Sequence, residues 1–431
     1  MTRSFVRTAD ATVSLTELTQ TPDPEPLYRS LRSEYGSVAP VVLEPGINAW
    51  LVMGVQELRS VTERQKLFSR DARNWRDLTA GTVPPDSGLL PMMGYRDTVV
   101  GKDLAEHQRL RRPLDDAVRG IAPRLLRRQV RERCDLLIDA FSGRGSADLV
   151  TEYAVHAPMQ AFSVLFGLDV AQGHELNSAL LALFGSQPDS QAGNRDFEQI
   201  LREHLRDREK VPRTDRPDDL TSAFLAHPGL HSEDEQLQAM VMMIAGGNEP
   251  VTCWIAHTLL RVITDPSFGA RLRGGDLGVN EALDQVLWAE PPMTNMPARY
   301  ALRDTDLGGH RIRRGDALIL GFHATHATDP TLPPDPRPAG NRGHFAYSAG
   351  AHMCPAQDPA WTITHTAVTT ALHRLAAVRL SISRDEVTFN PSPWTRRPSN
   401  LPVTFTVPMV RTPKSEDEEG DEEPMADAKT G

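Results

Sequence analysis

The run His344-Phe345-Ala346-Tyr347-Ser348-Ala349-Gly350-Ala351-His352-Met353-Cys354-Pro355-Ala356 constrains this chain more than any other. It places one cysteine in a loop of small residues, seven after a tyrosine and four after a glycine. Small side chains let backbone approach a flat ligand, and glycine takes φ > 0 there with no Cβ penalty. Backbone N–H groups can then point at a thiolate and stabilise its charge. Two readings follow. Cys354 is a buried structural thiol, the usual fate of a free cysteine, or it is a thiolate ligand for haem iron. The loop alone leaves both open.

The chain has 431 residues, 39% of them hydrophobic, enough to bury a large core in one big domain or a few small ones. No apolar run approaches the length of a membrane span. The opening Met1-Thr2-Arg3-Ser4-Phe5-Val6-Arg7 lacks the apolar core of a signal peptide. Cys134, Cys253 and Cys354 lie far apart, too few for a disulfide framework and without CxxC zinc spacing. A cytoplasmic location, where thiols stay reduced, is expected. The net charge of −10 argues against a nucleic-acid groove. Residues 412–431 hold eight acids and two lysines, a net −6. With no aromatic to bury, a tail over 411–431 is expected to be disordered. It reads as a solubilising segment or as a docking tail for a basic protein partner.

Residues 1–23 are expected to be loosely ordered, with the folded unit over 24–410. Pro40–Glu44, Pro45-Gly46 and Ala49–Val52 predict strand, turn and strand. Residues 71–101 read as a long loop. Helical patterns dominate from about 103 to 290, with a polar break from Gly185 to Asn194. Short strands return over 299–321, with turns at Gly308-Gly309 and Arg314-Gly315. A helix follows the cysteine loop, with Asp358 as the expected cap and Pro359 at its first position.

Four further motifs sit on these elements. His107 and Arg111 are four apart and so share a helix face, where two cationic donors can clamp carboxylates or form a solvated basic face with Arg109 and Arg112. The second is Asp148-Leu149-Val150 through Pro158 to Leu165-Phe166-Gly167, followed later by Asp218-Asp219-Leu220. Ile244-Ala245-Gly246-Gly247-Asn248-Glu249-Pro250 interrupts an apolar helix. Pro250 has no N–H, so the Gly246 carbonyl loses its helical partner and the helix is expected to bend. The fourth is the run Arg299 to Asp316.

In this order, the motifs resemble the cytochrome P-450 family of haem-thiolate monooxygenases over roughly residues 24–410. The resemblance implies a mainly α fold with small β-sheets and one haem b (iron protoporphyrin IX). It implies that Cys354 is the axial iron ligand, that His107, Arg111, Arg299 and His352 hold the propionates, and that Ala245 and Gly246 line the oxygen side. The activity implied is oxidation of a small organic molecule with O2. Electrons would come from a ferredoxin and a ferredoxin reductase, since the chain carries no flavin or iron–sulfur segment. No nucleic acid and no membrane enter this reading.

The chain departs from the family in three places. The Glu and Arg that the family sets three apart are replaced by Gln285 and Trp288. Losing both together avoids stranding a buried charge, which costs roughly 3–5 kcal/mol. This resembles a small actinobacterial branch lacking the pair. The acid-threonine relay is replaced by Asn248 and Glu249, with Thr252 one turn on. Glu249 either relays protons, assisted by Thr252, or marks a site that no longer activates oxygen. Tyr347 and Ser348 replace the usual Phe-Gly, and Ala356 replaces a glycine. Pro355 removes one donor to the thiolate, which would lower the iron potential.

Two other functions remain open at this stage. One is a haem-binding signalling or assembly subunit with little or no monooxygenase activity. The other is a peroxide-driven oxidase with Glu249 near the iron. The variable loops 75–100 and 180–195 are expected to contact substrate, with Trp75, Leu89, Leu90, Met92 and Met93 as apolar lining or as local packing.

Overall fold

A computed structural model describes residues 6–184, 190–275, 277–334, 337–338 and 340–407. The expected acidic tail lies outside these residues. Strands are β1 (Val38–Glu44), β2 (Ile47–Val52), β3 (Phe68–Ser69), β4 (Ser146–Asp148), β5 (Asn295–Ala301), β6 (Thr305–Leu307), β7 (His310–Ile312), β8 (Ala317–Gly321), β9 (Ala376–Leu380) and β10 (Pro402–Thr406). They form a five-stranded sheet in the order β1-β2-β8-β5-β3, a three-stranded sheet β4-β10-β9 and the hairpin β6-β7. Everything else of size is helix, as the apolar periodicity of the middle of the chain predicts.

The helix Glu233–Thr264 crosses the molecule. The Ser232 side chain caps it by accepting the Glu235 N–H, and three acids in the first turn favour its positive end. Every residue from Val251 to Leu260 is buried, so this helix is core on all sides rather than amphipathic. Against it packs Gln357–Arg374, the helix after the cysteine loop. Its buried threonines return their hydroxyls to the carbonyl one turn back, Thr366 to Thr362 at 2.7 Å and Thr370 to Thr366 at 2.8 Å. Threonine there brings a polar group into the core without leaving it unpaired.

Four expectations about local structure are revised. Residues 6–23 are ordered: Leu15–Gln20 is a helix whose Leu15 and Leu18 are fully buried. Its Thr19 hydroxyl donates to the Ser392 carbonyl at 2.6 Å, and Arg396 donates to the Pro22 carbonyl at 2.7 Å. Short polar spacing hid this helix, because its partners lie some 370 residues away. The polar break ends sooner than expected, since Ser190–Lys210 is helical; residues 185–189 are outside the described set. The helix after the cysteine loop is capped by Ala356 with no side-chain bond, and Asp358 sits in its first turn. The long loop 71–101 contains short helical turns at Ala72–Asn74, Arg76–Thr79, Leu90–Met93 and Val99–Gly101.

Candidate functional site

The cysteine loop and the long helix line one cavity. The loop contributes Tyr347, Ser348, Cys354, Pro355 and Ala356; the helix contributes Ala245, Gly246, Gly247, Pro250 and Val251. The loop is held by its own backbone. The Ser348 N–H donates to the Phe345 carbonyl at 2.7 Å and the Cys354 N–H to the Tyr347 carbonyl at 2.9 Å. Gly350 has φ +69° and lies so close to the Thr62 carbonyl that a Cβ would sit 2.4 Å from it. That contact explains why a glycine stands here. Cys354 remains half-buried because its thiol faces the cavity. Burial raises its pKa, while a hydrogen bond from the Ala356 backbone and the charge of Arg111 act the other way. One backbone donor to sulfur therefore survives the loss at Pro355.

The glycines of the long helix have separate jobs. A Cβ on Gly246 would meet nothing nearer than Met242 Cε at 3.9 Å, so Gly246 leaves open space over the cavity. A Cβ on Gly247 would come within 2.5 Å of Phe162 Cζ, so Gly247 allows that ring to pack against the helix.

A cationic cluster closes one end of the cavity. His107 and Arg111 come from the helix Leu104–Gly120, Arg299 from β5 and His352 from the cysteine loop; all four line the cavity. Arg109, between the first two, turns away to Glu235 at 2.7 Å, which separates the two faces that the sequence left ambiguous. The His107 and His352 rings lie 4.0 Å apart between centroids. Both ring nitrogens of His107 and Nε2 of His352 are buried without a hydrogen-bond partner. Burial and the nearby arginines Arg111 and Arg299 hold the His107 pKa down to about 4. Arg299 is 2% exposed, and its one hydrogen bond is to its neighbour's carbonyl at 3.4 Å. It reaches the cavity because Pro297 has no N–H to give, and the β5–β8 register shifts between Met296 and Arg299.

Sequence reasoning missed Arg70. It lines the same cavity, with Nε on the Val100 carbonyl at 2.8 Å and Nη1 on the Pro297 carbonyl. No motif marks it, since it enters the site from the end of β3. Asp103 is the cluster's acid. Burial raises its pKa, but the His352 imidazole 3.8 Å away, with hydrogen bonds from the Ser69 hydroxyl and the Arg70 backbone, outweighs burial and holds it below the usual range.

The expected relay residues do not reach this cavity. Glu249 is 4% exposed and accepts from Arg397 Nε at 3.0 Å, with Cys253 Sγ at 3.6 Å. Asn248 and Thr252 are 3% and 1% exposed, with Asn248 Oδ1 and Thr252 Oγ1 unpartnered. None of the three is among the residues that line the cavity. Positions 246, 247, 250 and 251 line the cavity, whereas the Glu249 carboxylate is turned to Arg397. Of the loop residues expected in an apolar pocket, Met92 lines the cavity. Trp75, Leu89 and Met93 are buried in the core, and Leu90 borders a separate polar cavity.

The chain's resemblance to known proteins agrees with this geometry. No protein-family model matches the sequence. Cytochrome P450-SU2 of Streptomyces griseolus is 29% identical over 85% of this chain and 90% of its own length. Cytochrome P450 monooxygenase PikC of Streptomyces venezuelae is 27% identical over 89% of this chain and 91% of its own. The solved structure of CYP154C4 from Streptomyces sp. W2061 superposes with a TM-score of 0.82, at 21% identity over 93% of this chain and 98% of that one. The chain is similar in sequence to cytochrome P450s and shares their fold. The cytochrome P450s it resembles use haem b as cofactor. The cavity fits that group on its own evidence. It offers one thiol and no group of three or more metal-ligating side chains among the described residues. Its cationic end also holds a buried guanidinium and two imidazoles lacking partners, which two carboxylates would satisfy.

Proposed function

We propose that this protein is a haem-thiolate monooxygenase that inserts oxygen into a small, largely apolar organic molecule. The observation that carries the reading is Cys354 lining the same cavity as the open helix position Gly246. Cys354 would ligate the iron, and His107, Arg111, Arg299, His352 and Arg70 would hold the propionates. Bound there, haem supplies oxygen activation driven by thiolate electron donation. The chain's residues do the rest. Phe162, Leu165, Met242 and Met243 present an apolar wall to substrate and exclude water. The Gly246 carbonyl, freed by Pro250, can accept a hydrogen bond from a water on the open face.

No carboxylate or threonine of the long helix faces the cavity, so proton delivery falls to ordered water rather than to a Glu249 side chain. This also removes the motive for a peroxide-driven oxidase. A signalling or assembly role is not favoured, since the curated relatives include enzymes named as hydroxylases and monooxygenases. Electrons come from a separate redox chain, and a ferredoxin with its reductase is the pairing we infer. The three free cysteines support a reducing, cytoplasmic setting. No helix among the described residues is long and apolar enough to cross a membrane. A basic protein partner for the acidic 411–431 segment completes the proposal.

The test is turnover under isotopically labelled O2 with a ferredoxin, its reductase and a panel of apolar substrates. Product carrying one labelled oxygen supports the reading. Steady oxygen consumption with only peroxide released from every substrate would contradict it.

A further inference from the structure

The cysteine loop of this protein is fixed to the helix Val279–Ala289 without the family's ion pair, and the structure shows what connects them. Trp288, near the end of that helix, donates its indole N–H to the Asn341 carbonyl at 2.8 Å. Its own carbonyl lies 3.1 Å from His326 Nδ1. The other side of the same imidazole meets the loop: the Phe345 N–H donates to His326 Nε2 at 2.8 Å. Phe345 opens the chain of backbone bonds that ends at Cys354.

The two partners settle the proton. A backbone N–H only donates and a carbonyl only accepts, so Nε2 is bare and Nδ1 carries hydrogen. His326 is 3% exposed, with its ring 4.8 Å from the Trp288 indole and 6.3 Å from the Phe345 ring. Arg337 lies over the other part of the assembly, 4.4 Å from the Trp288 ring, and donates to the His326 carbonyl at 2.8 Å.

We propose that His326 is the positioning residue of the cysteine loop: a neutral Nδ1–H imidazole that clamps the Phe345 N–H to the Trp288 carbonyl. It does by two hydrogen bonds what a buried ion pair does in relatives that have one. The proposal rests on the haem-thiolate reading for its consequence, but the clamp itself is a property of the polypeptide.

The experiment uses the purified holoenzyme, wild type, His326→Gln and His326→Leu. Glutamine keeps an acceptor and a donor, whereas leucine fills the space with neither. Three quantities are read: the red-shifted fraction of the ferrous–CO Soret band, amide exchange over 345–348 against 38–52, and the 15N shifts of the imidazole signal that the Gln variant loses. The proposal expects a protonated Nδ1 in wild type. In the Leu variant it expects a several-fold loss of the red-shifted fraction and roughly tenfold faster exchange over 345–348 alone. The Gln variant should recover most of both. A wild-type Nε2–H tautomer, equal failure of Gln and Leu, or faster exchange throughout would overturn it. Absence of a red-shifted band in wild type would strike the haem-thiolate reading, while the exchange and 15N results still decide the clamp.

Discussion

Arg397 Nε donates to Glu249 Oε1 at 3.0 Å, and the two side chains are only 7% and 5% exposed. A buried pair of this kind adds little net stability, yet breaking it by removing one member costs about 3–5 kcal/mol. Arg397→Leu is therefore expected to destabilise by about that much in chemical denaturation. Adding Glu249→Leu to it should restore most of the loss. A double variant no more stable than the single one would show that the two residues do not act as a pair.

Ser348 carries φ +63° in the cysteine loop, a conformation that costs a side-chain residue about 1–2 kcal/mol. Its hydroxyl is buried without a partner, so nothing visible offsets the strain. Ser348→Gly removes both defects against a smaller gain in unfolded-chain entropy of about 0.4–1 kcal/mol. The variant should be more stable by about 0.5–1 kcal/mol and should retain haem longer under denaturant. A less stable glycine variant would mean that Ser348 makes a contact that only the loaded site supplies.

Gln285 is half-buried and donates to Glu281 Oε1 at 3.2 Å. Gln285→Glu would set two carboxylates four residues apart on one helix. The variant is expected to lose about 0.3–0.5 kcal/mol, because the new charge reaches water. Thermal midpoints of the two proteins at low and high salt check this. The difference should shrink at high salt, and a salt-independent loss of several kcal/mol would contradict it.

Acid should unfold this protein through its buried imidazoles. Burial holds His323 down to about 4 and His326 well below the usual histidine value. A folded pKa below the unfolded one means that the unfolded chain takes up protons first. The stability contributed is thus intact above about pH 6.5 and is lost as pH falls toward 4, at about 1.4 kcal/mol per pH unit for each histidine. Glu290 resists burial through Arg396, His257 and His323, which hold it down to about 2, so its contribution is lost only below its unfolded value. Denaturation midpoints followed from pH 7.5 to 5 should fall with a slope exceeding one proton. A flat profile would contradict the neutral, buried state of both imidazoles.

Much of the site was legible because its parts obey short-range rules. The spacing of His107 and Arg111 fixes a shared helix face, and the small residues around Cys354 fix a close-approach loop. Arg299 and His352 were legible only by resemblance, and Arg70 not at all, since β3 brings it in through tertiary structure. For Glu249, residue type suggests a proton relay, while its burial and its pairing with Arg397, 148 positions away, could not be read from spacing. His326 carried no signal, because both of its partners are backbone groups that any residue could present. The early helix Leu15–Gln20 was missed for a similar reason: its burial depends on residues near 392–396.

The most direct test of the account is the ferrous–CO spectrum of the purified protein beside that of Cys354→Ala. A strongly red-shifted Soret band in the wild type that disappears in the variant is the predicted result. A band typical of a neutral ligand in both, or an unchanged red shift without Cys354, would contradict it.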